Sequence, residues 1–476
     1  MSFRPSFRLS VMAVALSGVL ANVLLAGQAH AAPLLVKEPN DPSHLQQWYL
    51  RDGPAGIGAY SAWAIAATQA QSQAVVGVID TNIELANKEL KNRLVTGWDG
   101  RNNQAYPVAW ILGSSMHGTM VAGTLAGEAN NATFGAGVAG TAPVKVMPLK
   151  YVNQEDMCGT GIKPDAATAQ AVYQGMVRSM RYALDNNARV INISSAVTVN
   201  PAAMDATTRA LFDQIVALFK EAETRGVLIV TAAGNTHFDA DRMATEGQVL
   251  VQGWDALPDG SNACAAPRFS MLKWESDLTT VQRNALVSGQ PFDVSVKSGL
   301  NTYPVKVVVK SAAPKGSIML PGGFSKAPYS LNNVLTVAGS DASAKMWVEP
   351  CGSGELAFAT AMTDTKPQIC NGSTYGSHVH IAAPSKDVLV QALGLTASMP
   401  GTSFGSPMVA AAAGLALTVR PNLNAVQLKA AITEGVNASR IKPGMLTQDD
   451  ILKLPRMLAS STIGIPNPNA PTRQDV

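Results

Sequence analysis

The segment Ala74-Val75-Val76-Gly77-Val78-Ile79-Asp80 constrains this chain more than any other, because it runs without a polar break into a carboxylate. A strand with one wet face alternates polar and apolar residues, whereas an unbroken run is covered on both faces. Residues 144–148, 190–193 and 227–230 are short apolar strands of the same kind. Residues 165–186 and 202–224 lie between them and carry apolar side chains at helical spacing. Strand and helix therefore alternate as βαβ units. The expected fold is α/β: an open, mostly parallel sheet with helices on both faces. Ligands bind such sheets beyond the carboxyl ends of the strands. Asp80 falls there, and so does Asn235, which closes the run through Thr231-Ala232-Ala233-Gly234.

A second feature carries chemistry. Gly401-Thr402-Ser403-Phe404-Gly405-Ser406-Pro407 opens the apolar run 408–419 and sets a serine hydroxyl at a helix start. Free N–H groups and the helix dipole favour negative charge there, so such a serine can attack a carbonyl while nearby donors hold the oxyanion. The phrase also fits a G-x-S-x-G elbow, or a plain Gly/Ser helix cap. Chain order decides against the elbow, which needs a histidine after the serine. The histidines are His30, His44, His117, His237, His378 and His380, all before Ser403. The order Asp, His, Ser works. His117 opens His117-Gly118-Thr119-Met120-Val121-Ala122-Gly123-Thr124, whose Gly118, Ala122 and Gly123 would let a helix lie close against its neighbours.

Together these four segments resemble the subtilisin-like serine proteases (subtilases), from Asn40 to about Leu454. The resemblance implies a three-layer α/β architecture in which Asp80 orients the imidazole, His117 is general base and then acid, and Ser403 is the nucleophile. It places the oxyanion between the Asn235 side chain and the Ser403 N–H. It makes Ser194, Ser195, Ala196, Ala233 and Gly234 the substrate-binding residues. Where the family has a Gly-rich stretch, this chain reads Asn192-Ile193-Ser194-Ser195-Ala196-Val197, so a narrowed pocket and a preference for small residues are expected. Asn82 stands where the family has Gly or Asp, and a left-handed Asn would preserve that turn. Once a leader at 1–31 is removed, the mature chain would begin so close to Asn40 that no room is expected for the usual prodomain. Residues 240–330 are expected to form an inserted β-rich subdomain bordering the cleft, with 292–297 and 303–310 as a hairpin. Residues 421–436 match the helix that follows the nucleophile helix. No cofactor is required; structural calcium, common in the family, stays unassigned, with Asp41 among the exposed acids that could serve.

The remaining organisation follows from composition. Residues 1–31 read as a Sec-type leader: Arg4 and Arg8, an apolar stretch 11–26, and Ala29-His30-Ala31. This makes 32–462 the catalytic domain of a secreted or periplasmic protein, with a mobile tail at 463–476. The chain has 36 basic and 33 acidic side chains, so losing the leader leaves it close to neutral. That argues against nucleic-acid partners, and no later segment is expected to span a membrane. Protein or peptide substrates are the expected partners; oligomeric state is open. In an exported chain Cys158, Cys264, Cys351 and Cys370 are expected to form disulfides, with Cys351–Cys370 the preferred pair. His378 and His380 would share one side of a strand, and structural histidines are the expectation over a metal site. The function expected is a serine endopeptidase; the rival is a silent relative that binds peptides or partners without cleaving them.

Overall fold

Six fully buried or nearly buried strands form the centre of a computed structural model that describes residues 38–107, 115–158, 161–162, 165–257, 267–298, 301–350, 369–434 and 450–464. They are β1 (Ala74–Asp80), β2 (Val144–Lys150), β3 (Val190–Ile193), β4 (Leu228–Ala232), β5 (Val334–Ser340) and β6 (Ile381–Pro384). Their order across the sheet is β6-β5-β4-β3-β1-β2, all parallel, and the short strands Trp98–Asp99 and Gln104–Ala105 finish the β2 edge. The leader, residues 465–476 of the tail, and the side chains of all four cysteines lie outside the described residues.

Alternation along the strands assigns the two faces. Gly77 and Ile79 of β1 look toward helix α2 (Ala166–Asp185): a Cβ on Gly77 would meet Ala183, and Ile79 joins a core with Met180, Phe212 and Phe219. Phe212 and Phe219 belong to helix α3 (Ala206–Thr224). Both helices start on an aspartate whose carboxylate accepts an N–H of the first turn, Asp165 from Thr168 and Asp205 from Thr208. The second cap explains why α3 begins four residues later than its apolar pattern suggests, after a 3₁₀ turn at Pro201–Ala203. Val76 and Val78 point the other way, where α1 (His117–Ala126) and α4 (Thr402–Val419) lie. Gly414 of α4 rides on Val76 and on Val144 of β2, since a Cβ there would come 3.2 Å from the first and 3.0 Å from the second. Asp80 has the parity of Val76 and Val78, so its carboxylate emerges on the α1 and α4 face. Helix α4 is the one described helix long and apolar enough to cross a membrane, and 94% of that window is buried inside the protein.

Between β4 and β5 the chain builds a second, antiparallel sheet in the order Phe269–Trp274, Gln248–Trp254, Asn301–Ala313, Phe292–Ser298. The expected hairpin is its last pair. The helix Thr280–Ser288, capped by Thr279 and Gln282, covers one face through Ala285, with Leu278 just before it in the same cluster. The sheet is anchored to the main body where Ile318–Leu320 pairs with Val197–Val199 and where Trp274 packs on Phe238 beside Ala196.

His380 and Lys429, the latter on helix α5 (Ala425–Thr433), fasten that helix to β5. The Thr336 N–H donates to His380 Nδ1 at 3.1 Å, so a neutral ring carries its proton on Nε2. Nε2 lies 2.9 Å from Lys429 Nζ, which also donates to Val334 O at 2.6 Å. An ammonium cannot accept from Nε2–H, so the intact contact belongs to the neutral amine. Burial and then the Lys326 charge lower the Lys429 pKa to about 8, against Glu223. Burial first, and then Lys429, hold His380 down at about 2. Both ring nitrogens of His380 are therefore taken, while buried His378 meets neither. Between about pH 8 and the ordinary lysine value of 10.5, the unfolded chain holds a proton that the folded chain has released. Stability should rise with pH through that window, by about 3 kcal/mol at most. Denaturant unfolding at pH 8 and pH 10 checks this against Lys429→Met, in which the rise should be smaller; equal slopes would refute it.

Candidate active site

The three adjacent strands β1, β3 and β4 end side by side, and the residues that follow them line one edge. Asp80 ends β1, Ser194 follows β3, and Ala233-Gly234-Asn235 follow β4. The Asp80 Oδ1 atom accepts two hydrogen bonds, from Thr81 N–H at 2.7 Å and from His117 Nδ1 at 2.7 Å. The Asp80 side chain is 4% exposed, whereas the His117 ring is 32% exposed, so one side of the imidazole faces solvent. Burial alone would lower the His117 pKa, but the Asp80 charge and hydrogen bond outweigh it and raise the value above 6.5.

Local sequence explains how α1 presents His117. The helix has no side-chain cap of its own; the Thr81 hydroxyl accepts the Gly118 N–H at 2.9 Å instead. This close approach needs Gly118, because a Cβ there would sit 2.8 Å from Asn82 O and 2.9 Å from Thr81 O. Gly123, expected to serve the same end, has open space around its Cα hydrogens. Asn82 holds the turn without a left-handed φ, contrary to expectation, and its buried Oδ1 lacks a partner.

Ser403 sits in the first turn of α4 with Phe404 placed against the His117 ring, centroids 6.1 Å apart. Its hydroxyl donates to Ser194 O at 2.9 Å. The Asn235 Oδ1 accepts from Thr402 N–H at 2.9 Å and from Thr402 Oγ1 at 2.8 Å, which fixes the amide flip and leaves Nδ2 as the free donor. A Cβ on Gly401, whose φ is +142°, would lie 3.5 Å from Asn235 Nδ2 and 3.8 Å from Ser403 N. The glycine thus keeps open a space flanked by two N–H donors. Asp80, His117, Ser403, Asn235, Ser194 and Gly234 therefore gather at one strand edge.

Ser195 and Ala196 line different spaces. A Cβ on Gly234, φ +106°, would be 3.5 Å from Ala196 Cβ and 3.1 Å from Thr374 Oγ1, so the gap between the two walls is narrow. Thr374 gave no signal in the sequence, where it lies in an unremarkable Ser-Thr-Tyr loop. Beyond Ser195 lies an apolar cavity of about 210 Å³ bounded by Tyr173 and Met176 of α2, Phe212 and Ile215 of α3, and Leu320.

The acids expected for calcium need correction. Asp41 is buried, and its carboxylate accepts the backbone N–H groups of Asn130, Asn131 and Ala132. Glu89 is buried as well; Oε1 accepts from Phe134 N–H and the Thr133 hydroxyl, but Oε2 lacks a partner. Burial raises its pKa, against those hydrogen bonds. Among the described residues no group of three or more His, Cys, Asp or Glu could hold a metal.

The chain belongs to the Subtilase family of serine proteases, whose model matches residues 71–263 and 307–449. The unmatched gap, 264–306, falls within the antiparallel sheet. Thermitase of Thermoactinomyces vulgaris is 31% identical over 198 residues, 41% of this chain and 58% of that protein. The thermophilic serine proteinase of Bacillus sp. (strain AK1) is 30% identical over 198 residues, 41% and 40%. The extracellular protease of Xanthomonas campestris pv. campestris is 32% identical over 222 residues, 41% and 35%. The matches thus span less than two thirds of each relative. In fold, the chain is similar to a lanthipeptide protease (TM-score 0.52, 15% identity, 89% of this chain and 98% of that one). It is likewise similar to a protease from Pseudoalteromonas arctica (TM-score 0.50, 18% identity, 89% and 99%).

The α1 packing yields a paired test. Gly118→Ala should destabilise the protein by about 1–3 kcal/mol, because backbone oxygens of the Asp80 turn must give way. Gly123→Ala, which meets nothing, should be neutral or stabilise by about 0.5–1 kcal/mol. Unfolding midpoints of the two variants check this; a Gly118→Ala protein as stable as Gly123→Ala would contradict the packing account.

Proposed function

We propose that this protein is an exported serine endopeptidase that cleaves protein or peptide substrates through Asp80, His117 and Ser403. The observation that carries the reading is the 2.7 Å Asp80–His117 hydrogen bond facing a serine helix whose glycine leaves room between two N–H donors. In the proposed reaction the Ser403 hydroxyl turns from Ser194 O to His117 Nε2, gives up its proton and attacks the carbonyl carbon. The oxyanion forms in the space beside Gly401 and takes hydrogen bonds from Asn235 Nδ2 and Ser403 N–H. Asp80 stabilises the imidazolium, which then protonates the leaving amine. Water, activated by the same imidazole, releases the acyl group. Export rests on the leader at residues 1–31. Structural calcium, which the family resemblance allows, finds no ligand set among the described residues: the Asp41 carboxylate is taken by three backbone N–H groups, and no group of three or more possible metal ligands gathers elsewhere.

The neutral imidazole is the active form, and its pKa is raised by Asp80, so kcat/KM should fall as pH drops through a value above the usual 6.5. Ser403→Ala should abolish labelling by a fluorophosphonate, and Asn235→Ala should cost about 10²–10³-fold in kcat. A folded wild type that refuses the label would favour the peptide-binding rival. Selectivity follows from the two spaces beside Ser194. The narrow gap at Ala196 and Thr374 should admit small side chains at the scissile residue, and the cavity behind Ser195 a bulky apolar side chain further along the substrate. A peptide-library profile reads both; dominant cleavage after large aromatic or basic residues would contradict the first.

A further inference from the structure

The nucleophile helix contains a proline where an N–H is needed. In an α-helix the carbonyl of Ser403 accepts the N–H of residue 407, and residue 407 is Pro407, which has none. A side chain from the strand edge replaces it: the Ser194 hydroxyl donates to Ser403 O at 2.9 Å. The direction of this bond is forced, since a carbonyl only accepts. The Ser194 oxygen must then take its other bond as an acceptor, from Asn192 Nδ2 at 2.8 Å. The Asn192 Oδ1 in turn accepts from Ser406 Oγ at 2.7 Å, one turn further along α4. Asn192, Ser194 and Ser406 are each 2% exposed or less, so water does not compete for these bonds. The loop closes on the reacting atom, because Ser194 O accepts the Ser403 hydroxyl at 2.9 Å.

We infer that Ser194 and Asn192 are positioning residues for Ser403: Pro407 vacates the Ser403 carbonyl, Ser194 takes it, and Asn192 holds the Ser194 hydroxyl in the donating direction. The relay clamps the first turn of α4 to the end of β3 at both the Ser403 carbonyl and Ser406. The Ser403 hydroxyl and N–H are thereby held at a fixed rotation relative to the cleft. The inference rests on the peptidase reading. It adds that the proline and the strand-edge serine work as a pair.

The test compares wild type, Ser194→Ala, Pro407→Ala and the double variant, using kcat and KM on a peptide that wild type cleaves and the rate of fluorophosphonate labelling. Ser194→Ala should lower kcat and the labelling rate by about tenfold with little change in KM, since the substrate meets the unaltered backbone at 194. In the double variant the backbone N–H restored at position 407 can take the Ser403 carbonyl, so its loss should be smaller than the product of the two single losses. Losses that multiply, or a Ser194→Ala protein with wild-type kcat and only a lowered unfolding midpoint, would reduce the relay to packing and overturn the inference. A folded wild type that neither labels nor cleaves would overturn the peptidase reading itself. The two failures are therefore distinguishable.

Discussion

Every residue of helix α4 except Ser403 is buried, and that single constraint sets the rest of the molecule. A helix that is apolar all round cannot rotate to expose a different side chain without putting its aliphatic surface in water. Val76 and Val144 pack on Gly414, and the strand edge closes on Ser403, so the helix is held both along its body and at its first turn. The exposed position is fixed by what lies around it. A serine carried on a mobile loop would pay for its placement in entropy at each encounter, whereas here folding has already met that cost.

The polar groups of the site obey the same logic at the sheet edge. Strand parity sends Asp80 to the face that holds α1 and α4, and it does so because Val76 and Val78 must be buried there. The carboxylate is drier than the imidazole it binds, 4% against 32% exposed, so its charge acts on His117 with little screening. The opposite distribution, a wet carboxylate and a buried ring, would leave burial to dominate and lower the histidine's pKa. His378 and His380 illustrate that outcome in this protein: both are shielded from solvent by their surroundings, and burial lowers their pKa values to about 4 and about 2, in His378 against the charge of Asp241.

Much of this was legible in the residues. Unbroken apolar runs identified the strands, because burial on both faces leaves no alternation to misread. Asp80, His117, Asn235 and Ser403 each stand at an element boundary marked by Gly, Thr or a change from apolar to polar, so their meeting at one edge could be inferred from chain order. What stayed hidden depends on distances between segments remote in sequence. Asp41 looks like an exposed acid, yet three N–H groups some ninety positions away enclose it. Gly118 and Gly123 look alike in a helical pattern, and only the Asp80 turn distinguishes them. Thr374 narrows the gap at Gly234 from a loop that no periodicity marks.

The segment absent from the family match raises a question of mechanics. A four-stranded sheet with its own apolar core could sit anywhere on the surface, but this one returns to the main body beside Ser194, Ser195 and Ala196. Its exit strand Ile318–Leu320 pairs with Val197–Val199, and Trp274 packs with Phe238 in the cluster that Ala196 joins. Strand pairing brings backbone hydrogen bonds to a stretch that would otherwise end in a free edge. The wall opposite Gly234 is therefore stiffened from outside by the insertion. Side chains stand at 195 and 196, and such a wall has less conformational freedom than one built of glycine. The narrow gap and the inserted sheet are then two parts of one arrangement: the sheet holds rigid the wall whose side chains narrow the site.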